Sequence, residues 1–437
     1  MIALLETLAS FVVVLGILVF VHEFGHFAVA KSLGIGVRIF SLGFPPRAFG
    51  YRWGETEYRI SAIPLGGYVL LAGDESDEDR TGKANEFLSR PRWQRLLVFA
   101  GGVVCNLVLA VAIVWGFFWL QGTEDFPSPP TVVAVAPGSP AEAAGIAMGD
   151  KILTVQGRDA RNPSTFLDEI DLAPESTVEV EIERAGKALA IRLGTGVSRE
   201  GGTYRGDPGW ALLQEGVGPT TVLQVLPGGA AAGAGLEPGD RILAADGRKP
   251  IGEVELRGLI ASSAGREVRL EVEREGRALE VVLTPKREGD RGVIGVVFRT
   301  PGVPRDLSLG SAFVEAVRWN AAQTKTIFVA LRRLAKTPGT VRNFSGPIGI
   351  ARLSRAAMTS VESFFFFLAI ISLNLGILNL LPIPMLDGGH ILILLFEGAI
   401  RRDFSMKVKQ RVMQAGLAFL LLFFAIVIYF DVIKTWF

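Results

Sequence analysis

The chain has 437 residues, of which 49% are hydrophobic, and its mean hydropathy is +0.37. Its formal net charge of +1 excludes the strongly basic composition of a nucleic-acid-binding protein, so we expect no nucleic acid partner. The single cysteine, Cys105, falls inside an apolar run, so an outer domain would have no disulfide framework.

Four apolar segments are long enough to cross a bilayer, which takes about 20 residues. They are residues 1–30, 96–120, 363–386 and 412–430. A cleaved signal peptide is the alternative for the first segment, but its first basic residue, Lys31, follows the apolar run, which favours a retained span. The sequence therefore predicts a polytopic α-helical membrane protein with four transmembrane helices.

The distribution of lysine and arginine predicts how these spans are oriented. Basic residues concentrate in residues 31–95 and in the loop 390–411, and both termini have few. We expect these two stretches on the cytoplasmic side and residues 121–362 on the other side. Residues 305–360 combine a helical pattern with several charges, which predicts an outer helical segment next to the membrane instead of a fifth span.

The outer region contains an internal duplication. PGSPAEAAGIAMGDKILTVQGR, from Pro137, returns 90 residues later as PGGAAAGAGLEPGDRILAADGR, from Pro227, and alternating strands follow each copy. The pattern resembles tandem α+β PDZ domains of bacterial proteases, at residues 125–215 and 216–300. Such domains bind extended peptides or C-terminal tails. Two β-rich spacers without a ligand are the alternative.

The clearest chemical signal is HEFGH, residues 22–26, near the end of the first apolar run. Positions i and i+4 share one face of a helix, so His22 and His26 can bind one zinc ion. Glu23 lies next to that face, where a carboxylate can act as a general base. A polar helix end without a metal is the alternative.

A catalytic zinc site usually has three protein ligands, so a third residue is needed. Asp387 is the first acidic residue after the uncharged third apolar run, and the charge map places it at the same cytoplasmic end as HEFGH. The sequence therefore favours Asp387 as the third ligand. Asp-Gly-Gly is also typical of a simple turn, and that interpretation stays open.

HEFGH, together with NLLPIPMLDGG at residues 379–389, resembles the site-2 protease family of intramembrane zinc metalloproteases. The order of four spans, with two PDZ domains between the second and the third, is similar to the bacterial type. The resemblance implies a zinc metalloendopeptidase of the bacterial inner (cytoplasmic) membrane, with periplasmic PDZ domains and an active site near the cytoplasmic side. It implies that His22, His26 and Asp387 bind Zn²⁺ and that Glu23 is the catalytic base.

The resemblance also implies residues that contact the substrate in the third span. Asn379 matches a family asparagine that holds the substrate or stabilises an oxyanion, which an amide can do by donating a hydrogen bond. Pro382 and Pro384 remove backbone donors and are expected to unwind the span before Asp387. An ordinary kink is the alternative for the two prolines.

IPLGGYV, residues 63–69, is similar to a membrane-associated β-hairpin of the family on the cytoplasmic side. Residues 60–63 and 68–71 would be the apolar arms of this hairpin. Gly66, Gly67 and Tyr68 are its candidate substrate contacts, and we expect it to pair with an unwound substrate. A packed structural turn is the alternative.

The implied function is cleavage of transmembrane segments of single-span membrane proteins, such as anti-sigma factors in the envelope stress response, and of remnant signal peptides. The lipid bilayer is then a further partner. A catalytically silent PDZ scaffold or chaperone, and a metal-binding transporter, are other classes. Glu23 beside both ligands weighs against the scaffold, and the duplication lies outside the spans, which weighs against the transporter. Two further residues are expected to be structural: His390 beside the site and Asn106 at a helix contact.

Overall fold

The computed structural model of the chain describes most of the sequence and forms two compact units. The first unit comprises residues 1–121 and 307–437, and the second comprises residues 122–306. The structure describes residues 2–73, 82–126, 128–161, 169–170, 173, 175–198, 205–213, 219–226, 228–248, 253–288, 291–299, 301–336, 346–358 and 360–436.

The secondary structure follows the hydropathy pattern, with long helices at both ends of the chain and strands between them. The helices are α1 (Ile2–Ser32), α2 (Arg92–Gln121), α3 (Pro140–Ala143), α4 (Ala230–Gly233), α5 (Glu253–Ser262), α6 (Leu309–Lys336), α7 (Pro347–Ala357), α8 (Val361–Leu380), α9 (Asp387–Ala399) and α10 (Met406–Trp436). The strands are β1 (Val37–Trp53), β2 (Thr56–Leu71), β3 (Thr123–Asp125), β4 (Thr131–Val135), β5 (Lys151–Val155), β6 (Arg158–Asp159), β7 (Thr177–Arg184), β8 (Lys187–Gly194), β9 (Gly196–Ser198), β10 (Arg205–Asp207), β11 (Trp210–Leu213), β12 (Thr220–Val225), β13 (Arg241–Ala245), β14 (Val268–Arg274), β15 (Arg277–Leu283), β16 (Lys286–Glu288), β17 (Arg291–Val293), β18 (Val296–Arg299) and β19 (Val303–Arg305).

Four helices of the first unit are long and apolar enough to cross a membrane. Among the described residues they are Glu6–Ser32, Arg92–Gln121, Val361–Leu380 and Lys407–Ile433. These helices correspond to the four apolar segments, which confirms the coarse prediction of an α-helical membrane protein. The amphipathic helix α6 does not meet the same criterion.

Helix α6 packs along two of these apolar helices. Its Ala316 is fully buried in a cluster with Val114 of α2 and Ala369 of α8. At the start of α6, Trp115 of α2 donates its indole N–H to the backbone oxygen of Leu309 at 2.9 Å. One face of α6 is therefore occupied by the helix bundle.

The first two spans cross at a pair of glycines. A Cβ added to Gly101 of α2 would lie 2.6 Å from the backbone oxygen of Gly25 of α1, and a Cβ on Gly25 would meet Gly101 in the same way. Small residues allow helix backbones to approach closely inside a membrane. Because Gly25 lies within HEFGH, this contact places α2 directly against the motif.

The predicted end of the third span, at residue 386, is wrong, because the helix ends earlier. Helix α8 stops at Leu380 instead of continuing to residue 386. The peptide nitrogens of Pro382 and Pro384 carry no hydrogen, so the helical hydrogen bonds cannot continue through this stretch. Short-range bonds replace them, from Ile383 N–H to the Leu381 oxygen at 2.7 Å and from Leu386 N–H to the Ile383 oxygen at 3.1 Å.

The chain becomes helical again directly at Asp387. Residues 390–411 were predicted as a loop, and this is wrong for their first part, because α9 continues to Ala399. The apolar run that follows Asp387 supplies good helix formers, which the boundary drawn from charge alone overlooked. Asp387 thus lies in the first turn of a helix that follows a six-residue break.

The predicted hairpin around Gly66 and Gly67 is also wrong in its pairing. Residues 39–42 of β1 lie between two segments of β2, so that Leu42 faces Ile60 on one side and Gly67 on the other. The two arms, 60–63 and 68–71, are therefore separated by another strand. A wider sheet pairs more backbone N–H and C=O groups than an isolated hairpin, which is marginally stable.

The two larger sheets of the second unit have corresponding strand orders. In the first sheet the order is β11-β4-β5-β7-β8, with β6 beside β5, and in the second it is β18-β12-β13-β14-β15. The sheets enclose separate cores, one around Ile152 and Ile182 and the other around Ile242 and Leu270. The two copies of the duplicated sequence therefore form two similarly built β-rich domains.

The same ion pair, between a buried aspartate and a partly exposed arginine, occurs in both domains. Arg184 donates to Asp150 at 2.7 and 2.6 Å, and Arg274 donates to Asp240 at 2.7 and 2.8 Å. The Arg184 guanidinium holds the pKa of the Asp150 carboxyl below its ordinary value. Burial opposes ionisation of Asp240, but the hydrogen bonds from Arg274 and from the Glu237 backbone, together with the charge of Arg274, lower the pKa of this carboxyl. Both carboxylates also accept a backbone N–H, so each fixes the turn before a central strand.

Candidate metal centre

Three side chains from two helices converge near the end of α1. Asp387, in the first turn of α9, places one carboxylate oxygen 3.1 Å from His22 Nε2 and the other 3.5 Å from His26 Nε2. The two Nε2 atoms are 3.2 Å apart. The structure therefore brings together the three residues that the sequence suggested as ligands.

The outer nitrogens of both imidazoles face α2. The Nδ1 atom of His26 lies 2.8 Å from the backbone oxygen of Val98, and the Nδ1 atom of His22 lies 3.1 Å from the amide of Asn106. Between them, Gly102 has no side chain, and a Cβ there would lie 2.5 Å from His26 Nε2. Helix α2 thus forms one side of the site.

The arrangement fits a metal ion. One ligand atom from each of His22, His26 and Asp387 can be chosen so that all three lie within 4.8 Å of one another. Nitrogen lone pairs that face each other repel, and a shared cation removes this repulsion. The Oδ2 atom of Asp387 is buried and lies 3.1 Å from the Nε2 atom of His22, itself a candidate metal-binding atom. Two imidazoles and one carboxylate form a ligand set typical of catalytic zinc sites.

With this geometry established, comparison with known proteins decides the family. The pattern that defines Peptidase family M50 matches residues 10–423. The chain belongs to peptidase family M50. This match covers both HEFGH and Asp387 and confirms the resemblance to site-2 proteases.

Three relatives illustrate the similarity of this M50 peptidase to other proteins over nearly its whole length. The Regulator of sigma-E protease RseP of Escherichia coli K12 is 32% identical over 453 residues, covering 99% of both chains. The Regulator of sigma E protease of Salmonella typhimurium LT2 is 30% identical over 466 residues, again 99% of each. A Vibrio cholerae protein named "Putative zinc metalloprotease" is 32% identical over 446 residues, 97% of each.

Glu23 lies beside the ligands on α1 and faces the sheet formed by β1 and β2. A Cβ on Gly67 would lie 3.0 Å from Glu23 Cγ and 2.9 Å from Val19 Cγ1, so this strand rests on α1. Val69 follows Gly67 by two residues on the same strand, so its backbone also lies near Glu23. The last strand segment of β2 is thus adjacent to the residue expected to act as the base.

The other candidates from the sheet contact neighbouring side chains of the same sheet. The hydroxyl of Tyr68 lies 3.5 Å from Arg59 Nη1. Gly66 leaves room for the ring of Phe44, which a Cβ would overlap. Both residues hold the sheet together, and neither contact reaches the ligand atoms.

The candidates from the third span occupy different places. Asn379 lies in the last turn of α8, and its Nδ2 atom is 3.4 Å from His22 Nε2. Pro384 packs on Gly416 of α10, where a Cβ on the glycine would lie 2.6 Å from the Pro384 oxygen. Pro382 lies in the break itself and is exposed. Asn379 is therefore the candidate of this group that reaches the ligands.

His390 packs beside the site without joining the ligands. Its ring stacks on that of Phe99, with centroids 4.5 Å apart and planes within 10°. This contact links α9 to α2 next to Asp387. The sequence expectation of a structural or supporting role agrees with this position.

Gly102 and the Val98 backbone oxygen are the parts of the site that sequence reasoning missed. A backbone oxygen has no residue-type signature, and a glycine in a membrane helix is commonplace. The available signal was spacing, because residues 98, 102 and 106 follow at intervals of four and so share one helix face.

Proposed function

We propose that this M50 peptidase is an intramembrane zinc metalloprotease that cleaves transmembrane segments of single-span membrane proteins. The observation that carries the proposal is the convergence of His22, His26 and Asp387, from α1 and from the helix that follows α8. Both α1 and α8 are apolar enough to cross a membrane, so the reacting groups lie at membrane depth. Zinc is the metal of this site, in keeping with the ligand set and with the relatives named zinc metalloproteases.

Each residue of the site has a separate role in peptide hydrolysis. Zinc held by His22, His26 and Asp387 would supply Lewis acidity toward the scissile carbonyl. Glu23 takes a proton from the attacking water and returns it to the nitrogen of the leaving amide. Asn379, whose amide lies near the ligands, donates a hydrogen bond to the carbonyl oxygen as negative charge develops there.

An uncut transmembrane helix cannot enter this site as a helix, because its carbonyl groups are bonded internally. The segment of β2 beside Glu23 offers an alternative set of backbone partners. We infer that an unwound substrate adds to residues 67–71 as a further strand, which places a peptide bond next to Glu23.

This strand addition predicts a backbone effect that side-chain changes do not reproduce. Val69→Pro removes one backbone N–H from the segment 67–71 and is expected to lower kcat/KM for a membrane substrate by about tenfold, in line with one lost hydrogen bond. Val69→Ala keeps the N–H and serves as the matched control. Unchanged kcat/KM for Val69→Pro, with zinc content normal, would exclude this part of the sheet as a substrate partner.

The two β-rich domains are proposed to be PDZ domains on the periplasmic side, with the metal centre near the cytoplasmic side of the inner membrane. The basic stretches at residues 31–95 and 390–411 support this orientation. The domains either bind peptide tails or admit only substrates whose outer part has already been trimmed. Anti-sigma factors are the proposed substrates, because relatives carry the name regulator of sigma-E protease. Equal cleavage of one substrate with and without a folded outer domain would contradict the filtering role.

The test of the proposed function is cleavage of a single-span substrate alongside zinc analysis of the purified protein. Asp387→Ala is expected to lose both zinc and cleavage, because one of three ligands is removed. Asn379→Ala is expected to keep zinc and to cleave about 10²- to 10³-fold more slowly, as for loss of an oxyanion donor. Full zinc content and full cleavage in Asp387→Ala would contradict the proposed metal site. Absence of cleavage by the wild type would favour a scaffold function.

A further inference from the structure

The site has a structured outer layer on α2 that the ligands alone do not explain. Val98, Gly102 and Asn106 occupy successive turns on one face of this helix, opposite His26 and His22. In these three turns the helix presents a backbone oxygen, a position without a side chain and an amide. Two neighbouring imidazoles need one hydrogen-bond partner each and space for their rings, and this face of α2 offers all three.

The contact at His26 has one chemical interpretation. The backbone oxygen of Val98 can only accept a hydrogen bond, so Nδ1 of His26 is the donor at 2.8 Å. In a neutral imidazole the other nitrogen then carries the lone pair. The contact therefore leaves Nε2 of His26 free to bind a metal, and that atom is the one that faces Asp387.

The contact at His22 allows two interpretations, because an amide can turn either its nitrogen or its oxygen toward the ring. If the amide nitrogen of Asn106 donates to Nδ1, the ring proton lies on Nε2 and points at Asp387, so this histidine cannot be a ligand. If the amide oxygen accepts from Nδ1, the lone pair of Nε2 faces Asp387 instead. Only the second arrangement lets both histidines act together.

Asn106 has a fixed place in the helix bundle. It is fully buried, and its own backbone oxygen accepts the hydroxyl of Ser372 of α8 at 2.8 Å. A Cβ on Gly376, one turn further along α8, would lie 3.4 Å from Asn106 Cβ. The residue thus lies between α1 and α8. Its Nδ2 atom is the amide atom 3.1 Å from His22 Nδ1, and its Oδ1 atom is buried with no hydrogen-bond partner among the described residues. Turning the amide over exchanges the two atoms and gives Oδ1 the Nδ1 hydrogen as its partner.

We propose that Asn106 is a positioning residue of the metal centre: its amide oxygen accepts the Nδ1 hydrogen of His22 and thereby directs Nε2 toward the metal. The proposal rests on the proposed metal site and assigns a specific role to a residue that the sequence suggested only as a helix contact. Mutation of the hydrogen-bond partner of a metal-binding histidine typically lowers metal affinity 10- to 100-fold.

The experiment compares zinc dissociation constants of the full-length protein, measured by competition with a chelator. Asn106→Leu keeps the side-chain volume but cannot accept a hydrogen bond, and is expected to weaken zinc binding 10- to 100-fold. Asn106→Asp keeps an acceptor oxygen and is expected to remain within about threefold of the wild type. Cys105→Ala, at the neighbouring position of α2, is the control and should not change the constant.

The outcomes separate this inference from the proposed function. Equal weakening by leucine and aspartate, or wild-type affinity in the leucine variant, would overturn the role of Asn106 while leaving the site intact. A wild type that binds no zinc would instead overturn the metal site itself. If Asn106→Leu does not fold, Asn106→Ser takes its place, because its shorter side chain does not reach Nδ1, and the absorption spectrum of the cobalt-loaded protein reports the ligand geometry directly.

Discussion

Replacing Glu23 by glutamine is expected to abolish measurable cleavage and leave zinc binding unchanged. Glutamine keeps the size of the side chain and can still donate a hydrogen bond, but it cannot take a proton from water. Loss of a general base typically lowers the rate about 10²- to 10⁴-fold. Turnover of a single-span substrate, with zinc content measured on the same preparation, gives both halves of the result.

The matched control for this change lies on the same helix. Glu6 is half-exposed and pairs with Arg355 at 3.0 Å, away from the ligands, so Glu6→Gln should cleave at the wild-type rate. If Glu23→Gln cleaved as fast as Glu6→Gln, Glu23 would not be the base. If it lost zinc together with activity, Glu23 would have to be counted among the ligands.

Gly102→Ala is expected to remove zinc binding although it changes no ligand. The added Cβ would lie 2.5 Å from His26 Nε2 and 2.8 Å from His22 Cε1, and both rings would have to move. A metal site tolerates little displacement of its ligands, so we expect zinc affinity to fall at least about tenfold and cleavage to fall with it. Zinc stoichiometry and chelator competition measure the first effect.

Gly116→Ala provides the comparison on the same helix. A Cβ at this position meets no atom within 4 Å, and alanine is favoured over glycine in a helix by about 1 kcal/mol. It should therefore bind zinc normally and be at least as stable as the wild type. Normal zinc binding by Gly102→Ala would mean that α2 can retreat from the histidines, against the close contact of Gly25 with Gly101.

The sequence was most informative where function is carried by side-chain chemistry. The spacing of His22 and His26 predicted a shared helix face, and the first charge after a long apolar run predicted Asp387. The structure places these three residues together. Both predictions used local regularities, namely the period of a helix and the cost of a charge inside a membrane.

Features that depend on long-range packing were not predictable in the same way. The insertion of residues 39–42 between two parts of β2 is a matter of register, and the nearest-neighbour hairpin was the simpler expectation. The contribution of α2 is made by the Val98 oxygen and by the missing side chain of Gly102, neither of which has a chemical signature in a sequence. The break before Asp387 was expected from Pro382 and Pro384, but the helix that begins at Asp387 was not.

The position of Asp387 relative to the histidines has a consequence for how the protein is made. His22 and His26 lie on α1, and Asp387 follows along the chain only after both β-rich domains and α8. The ligand set is therefore incomplete for most of synthesis, and the nascent chain carries two histidines without their acidic partner. The proposed metal site is complete only once α9 has been synthesised, so metal capture, and with it peptidase activity, is expected late in synthesis.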